Sequence, residues 1–87
     1  MADNDKALSV LKTIVGAIVK KPNDIKISVE KKDGSVDYVI STTEKIDRAR
    51  LIGKGGNTIK AIRLIVFIVW IVGNEDTTDK MKVIVED

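Results

Sequence analysis

Three glycines in four positions, Gly53, Gly55 and Gly56, set the strongest limit on how this 87-residue chain folds. Glycine reaches positive φ without steric cost and weakens helices and strands from within. Gly53-Lys54-Gly55-Gly56 therefore predicts a loop, and it separates two apolar patterns. Before it, Thr42 to Ile52 holds a short helix pattern, with Ala49, Leu51 and Ile52 as its apolar side and Asp47 as its cap. After it, from Asn57 onward, Ile59, Ile62 and Val66 recur at helical spacing with Lys60 and Arg63 between them. The continuation, Leu64 to Val72, is apolar on every side and rich in β-branched residues. Local propensity predicts a buried strand there. Length, counted from Asn57, predicts a helix that stops at Gly73-Asn74. The residues alone leave both readings open.

Upstream the patterns are simpler. Leu8, Leu11, Val15 and Ile18, with Ile14 beside them, predict an amphipathic helix over about residues 5–21. Asp3 or Asp5 is expected to cap it, and Lys20 and Lys21 to sit at the negative end of its dipole. Pro22 and Asn23-Asp24 end it. Strict alternation over Ile25 to Glu30 predicts a half-buried strand. Asp33-Gly34 predicts a hairpin turn, and Ser35 to Ser41 the returning strand with Val36, Tyr38 and Ile40 on one face. Glu75 to Lys80 reads as a polar loop and Met81 to Glu86 as a last strand. The order helix, strand, strand, short helix, helix, strand predicts a single α+β domain over residues 1–87, its helices on one face of a three-stranded sheet.

The chain contains neither cysteine nor histidine. Disulfides and cysteine–zinc sites are excluded, and the commonest general base and transition-metal ligand are missing. No pair of carboxylates stands out for acid–base work, so no enzyme, metal or cofactor is expected. Met1-Ala2-Asp3-Asn4-Asp5 lacks the basic start and apolar core of a signal peptide. The longest apolar run, Leu64 to Gly73, falls well short of the roughly 20 residues that span a bilayer. A cytoplasmic protein without a membrane partner is expected.

Net charge is +2, but it is unevenly spread. Residues 45–63 carry Lys45, Arg48, Arg50, Lys54, Lys60 and Arg63 against Asp47 alone, while the remainder is acidic. A local cationic patch around a glycine loop is the footprint of a phosphate-binding surface. The loop leads into a helix whose first N–H groups lack partners and carry partial positive charge, so an anion fits there. Lys54 adds a mobile full charge at the tip. A P-loop needs Ser or Thr directly after Gly-Lys, and Gly55 stands in that place.

Ile52, Gly53, Lys54, Gly55, Gly56, Ile59 and Ile62 resemble the signature of KH domains: an apolar residue before G-x-x-G, then isoleucines three and six positions after it. The element order resembles the type II KH topology, α-β-β-α-α-β, over nearly the whole chain. Length and the Ala61-Ile62-Arg63 trio resemble the small stand-alone bacterial KH proteins of the KhpA type. The resemblance implies a mixed three-stranded sheet, binding of single-stranded RNA as an RNA chaperone or post-transcriptional regulator, and pairing with itself or another KH protein. No small-molecule substrate is implied. The expected RNA contacts are Ile52, Gly53, Lys54, Gly55, Gly56 and Asn57, with Arg50, Lys60 and Arg63 as electrostatic helpers. Bases would lie against Leu51, Ile52 and Ile59.

The chain departs from that family twice. Ala49 stands where a glycine is expected, and Leu64 to Val72 replaces a mix of alanine and basic residues. A helix that buries Ile59, Ile62, Val66 and Val69 leaves Leu64, Phe67, Ile71 and Trp70 facing outward. A patch of that size marks an interface, most simply with a symmetric copy. The alternatives are that the N-terminal helix covers the patch, or that the chain is a protein-interaction module with a KH fold that works through this helix and binds no RNA.

Overall fold

The computed structural model describes residues 5–86. Its elements are α1 (Lys6–Ile18), β1 (Lys26–Lys32), β2 (Ser35–Ser41), α2 (Lys45–Ile52), α3 (Asn57–Gly73) and β3 (Lys80–Val85), with 3-10 turns at Pro22–Asp24 and Lys54–Gly56. β1 pairs antiparallel with β2 through the Asp33-Gly34 turn, and β3 pairs parallel with β2, so the sheet is mixed and runs in the order β1-β2-β3. The expected α+β architecture is present, with the helices on one sheet face.

One core joins the layers: Ala7, Leu11 and Val15 of α1, Val36, Tyr38 and Ile40 of β2, Leu51 of α2, Ile62, Val66 and Trp70 of α3, and Val83 of β3. The central strand is buried on both faces, its second face carrying Asp37, which pairs with Lys32 at 3.8 Å, and Val39. In α1 the innermost stripe is Ala7–Leu11–Val15, and Leu8, Ile14 and Ile18 pack at its margin. Asp5 caps this helix by accepting the Leu8 amide at 2.9 Å, and it also accepts from the Tyr38 hydroxyl. Asp3, the other candidate cap, lies outside the described residues, as does the rest of Met1–Asn4.

Three expectations are corrected here. α1 ends at Ile18, so Lys20 and Lys21 lie beyond its last turn rather than on its dipole. Their backbone amides instead donate to the two carboxylate oxygens of Asp47, each at 2.9 Å. Asp47 is consequently no cap: α2 begins at Lys45 behind Glu44, and Asp47 sits buried in the first turn as a clasp between the end of α1 and the start of α2. Trp70 does not face outward. It is 7% exposed and completes the Ile62–Val66–Trp70 stripe, while Val69 falls to the margin.

The clasp makes stability sensitive to acid. The Lys20 amide chiefly holds the Asp47 carboxyl below its ordinary 3.8; the Lys21 amide and the Arg50 and Lys21 charges add to this, and burial opposes it. Asp24 is lowered in the same sense by the Thr42 hydroxyl and then by the Thr43 amide and hydroxyl. A depressed native pKa contributes stability that is complete above the unfolded value and is lost as pH falls through the native one. The melting temperature is expected to drop steeply between about pH 5 and pH 2. Asp47→Asn is expected to melt lower at neutral pH and to show a flatter acid limb. Thermal denaturation across that range checks both, and an unchanged limb in the variant would remove Asp47 from the account.

Candidate functional site

The turn between α2 and α3 is built by glycine geometry. Gly53 ends α2, its amide donating to the Ala49 carbonyl at 2.8 Å, with φ 76° and ψ 172°. That region of φ and ψ belongs essentially to glycine. Space imposes the same demand, since a Cβ at Gly53 would overlap the Thr58 side chain and stand 2.8 Å from the Thr58 backbone nitrogen. Gly55 (φ 64°) and Gly56 (φ 80°) are also left-handed. The Gly56 amide donates back to the Gly53 carbonyl at 3.1 Å and the Asn57 amide to the Lys54 carbonyl, which closes the turn on itself.

The outer surface of this turn is bare. A Cβ built on Gly55 would meet no atom within 4 Å, and Lys54 is exposed beside it. α3 starts with Gly56 as its first flanking residue and no side chain caps its N-terminus. The positive end of a 17-residue helix dipole therefore opens beside an uncovered backbone and a free-swinging ammonium group.

Of the expected contact residues, Arg50, Ile52, Lys54, Asn57 and Lys60 are exposed, and Gly53 and Gly56 are half-exposed within the turn. Arg50 stands one turn after Asp47 and helps lower its pKa, so part of its charge is shared inward. Arg63 is exposed, but its guanidinium is tied down: Nη2 donates to the Val83 carbonyl of β3 at 3.2 Å. Because the Lys80 amide pairs with the carbonyl of Gly34, just before β2, and the Glu86 amide with that of Ile40 in β2, the intervening odd-numbered residues of β3 turn their backbone groups to the open edge. Arg63 thus holds an edge carbonyl, and this is the strand edge nearest α2 and α3. Leu51 is fully buried in the core and offers no surface to a base; Ile59 packs at the core margin, which leaves Ile52 as the aliphatic side chain beside the turn. Sequence gave no signal for the Arg63–Val83 bond, because it joins residues 20 apart across a crossover.

A cavity lies elsewhere. It measures about 740 Å³ and is lined by Tyr38, Trp70, Lys6, Lys31 and Asp79 among others, at the far end of α3 from the glycine turn. The outward side of α3 stays uncovered, because α1 packs along the helix without reaching it. Leu64, Ile65, Phe67, Ile68, Ile71 and Val72 are all exposed, Leu64 by 60% and Val72 by 66%. Among the described residues, Lys45–Gly73 is the one stretch long and apolar enough to cross a membrane, and it consists of α2 and α3 with the glycine turn between them.

The family model described as KhpA/KhpB, KH domain, matches residues 9–85. The chain is also similar to the RNA-binding protein KhpA of Listeria monocytogenes and to that of Listeria innocua. Each is 40% identical over 57 residues, a span covering 66% of this chain and 74% of the relative. No solved structure matches the chain significantly.

Proposed function

The chain belongs to the KhpA/KhpB KH-domain family, and on that footing we propose that it binds single-stranded RNA by anchoring the sugar-phosphate backbone on Gly53–Gly56 at the start of α3. The observation that carries this reading is the uncovered left-handed backbone at Gly55, next to exposed Lys54 and an uncapped helix N-terminus. Gly53, Gly55 and Gly56 bring the main chain within reach of phosphate, and Lys54 supplies the nearest charge. Ile52 and Asn57 flank the anchor. Arg50 and Lys60 extend the positive field, and Arg63 supports it from the edge of β3. The protein works by binding, in the cytoplasm, as an RNA chaperone or post-transcriptional regulator and not as a catalyst. The relatives named as RNA-binding proteins support RNA as the ligand.

The exposed apolar side of α3 supports a dimer, formed with a second copy or another KH protein. A solution that scatters light as a monomer at every concentration would remove this part of the proposal.

Salt titration tests the RNA reading. Three or four phosphates neutralised by Lys54, Lys60, Arg50 and their neighbours give a log–log slope of about −2 to −3 on single strands. Fluorescence anisotropy of a labelled single-stranded RNA across several salt concentrations is expected to show that slope. A KH fold devoted only to protein contacts would bind no RNA at any of them.

A further inference from the structure

Of the cations Arg50, Lys54, Lys60 and Arg63, only Arg63 has its charged group hydrogen-bonded to the fold among the described residues. Its Nη2 donates to the Val83 carbonyl at 3.2 Å, and among the described residues no carboxylate pairs with it. Arg63 follows Gly56 by two turns, about 10 Å along α3 and on the same flank of the helix. The half-buried Ile59 stands between them, one turn before Arg63. Val83 itself has no exposed surface, whereas Arg63 is exposed. A group that approaches this stretch of the β3 edge therefore meets the guanidinium and not the main chain.

We propose that Arg63 reads a base of the bound strand and selects one with two adjacent acceptors, guanine or cytosine, over adenine and uracil. The inference rests on the RNA reading above and names which bases that site prefers. With phosphate anchored at Gly55, a base directed along α3 passes Ile52 and Ile59 before it reaches Arg63. Arg63 thus stands at the edge of the base, two turns from the anchor. A guanidinium offers donors only, in a rigid planar fork. One N–H is spent on Val83, which fixes the plane and leaves the others to the strand. Ordering a long side chain carries an entropic cost on binding, and the Val83 bond lowers it in advance. Guanine matches a two-pronged donor with O6 beside N7, and cytosine with O2 beside N3. Adenine sets a donor amino group beside each ring acceptor it shows at those edges, and uracil sets N3–H between its two oxygens. Single-stranded RNA leaves both edges open to such contacts.

The test measures binding of the parent protein to short labelled RNAs of one sequence that carry each of the four bases in turn at each position. At one position guanine or cytosine is expected to bind about tenfold more tightly than adenine and uracil. Replacing the preferred base by 7-deazaguanine or 3-deazacytosine, which put C–H in place of the ring acceptor, is expected to remove the preference and tells the two bases apart. Arg63→Ala is expected to remove it as well, and Arg63→Lys, which keeps the charge without the fork, is expected to do the same with the parent's salt slope. The deaza arm needs no variant, so it is decisive even where Arg63→Ala melts early. Equal binding of all four bases by the parent would overturn the proposal, as would a preference that survives Arg63→Ala. An equal loss for every RNA in Arg63→Ala, with a salt slope shallower by about 0.7, would make Arg63 a phosphate contact instead. No RNA bound by the parent at all would overturn the RNA reading beneath it.

Discussion

Replacing Lys54 and Gly55 together by aspartate is expected to lower affinity for single-stranded RNA by about two orders of magnitude near 0.1 M salt, with the fold intact. The variant removes the nearest cation and sets two carboxylates where phosphate would lie. Each carboxylate–phosphate pair at about 5 Å costs about 0.8 kcal/mol in bulk water, and a few such pairs plus the lost attraction of Lys54 reach that size. The structure predicts that the loop tolerates the change. Gly55 is surrounded by open space at φ 64°, and aspartate is among the residues that enter the left-handed region most readily. A melting curve near that of the parent, together with lost anisotropy signal, is the expected pair of results. A folded variant that still binds RNA as the parent does would move the site away from the turn.

The second large effect concerns stability. Gly53→Ala is expected to cost about 3 kcal/mol or more, since an alanine in that backbone region is strained by about 1–3 kcal/mol before any contact is counted. Here the added methyl also presses on the Thr58 side chain and on its backbone nitrogen 2.8 Å away. Relief would require α3 to back away from α2. Gly55→Ala carries the left-handed penalty but no overlap, and is expected to cost about 1 kcal/mol. Denaturant titration of the two variants side by side separates the effects. Equal losses would show that Thr58 does not dictate the glycine. For a domain whose total stability is on the order of 5–15 kcal/mol, the larger loss populates the unfolded state appreciably.

What the sequence revealed, and what it hid, follows from how far each signal reaches. The hairpin was legible because alternation and an Asp-Gly turn are local: β2 runs over Ser35–Ser41 as expected, and β1 starts one residue after its expected beginning. The glycine turn was legible for the same reason. α3 was ambiguous because β-branched residues favour strands, whereas the tertiary context rewards a helix with apolar surface on both sides. Its rotation was harder still. When every side of a helix is apolar, pattern does not say which stripe turns inward, and the stripe chosen on spacing put Val69 in the core and Trp70 outside. The sheet selected Ile62, Val66 and Trp70. Asp47 was misassigned as a cap because its partners, the Lys20 and Lys21 amides, are distant in sequence and carry no side-chain signature. The same clasp keeps the only carboxylate of the cationic 45–63 segment ionised, so it offsets part of the positive field, most directly that of Arg50.

The parallel partnership of β2 and β3 bears on how the chain is made. Tyr38 lies opposite Val83, with about 45 residues and two helices between them. A ribosome must deliver the whole crossover before that ladder can zip, so the early hairpin waits with one edge of β2 unpaired and only α1 available to cover Tyr38 and Ile40. The β2–β3 ladder thus closes only once β3 is made, and a nascent chain halted ahead of Lys80 lacks the strand that completes the sheet.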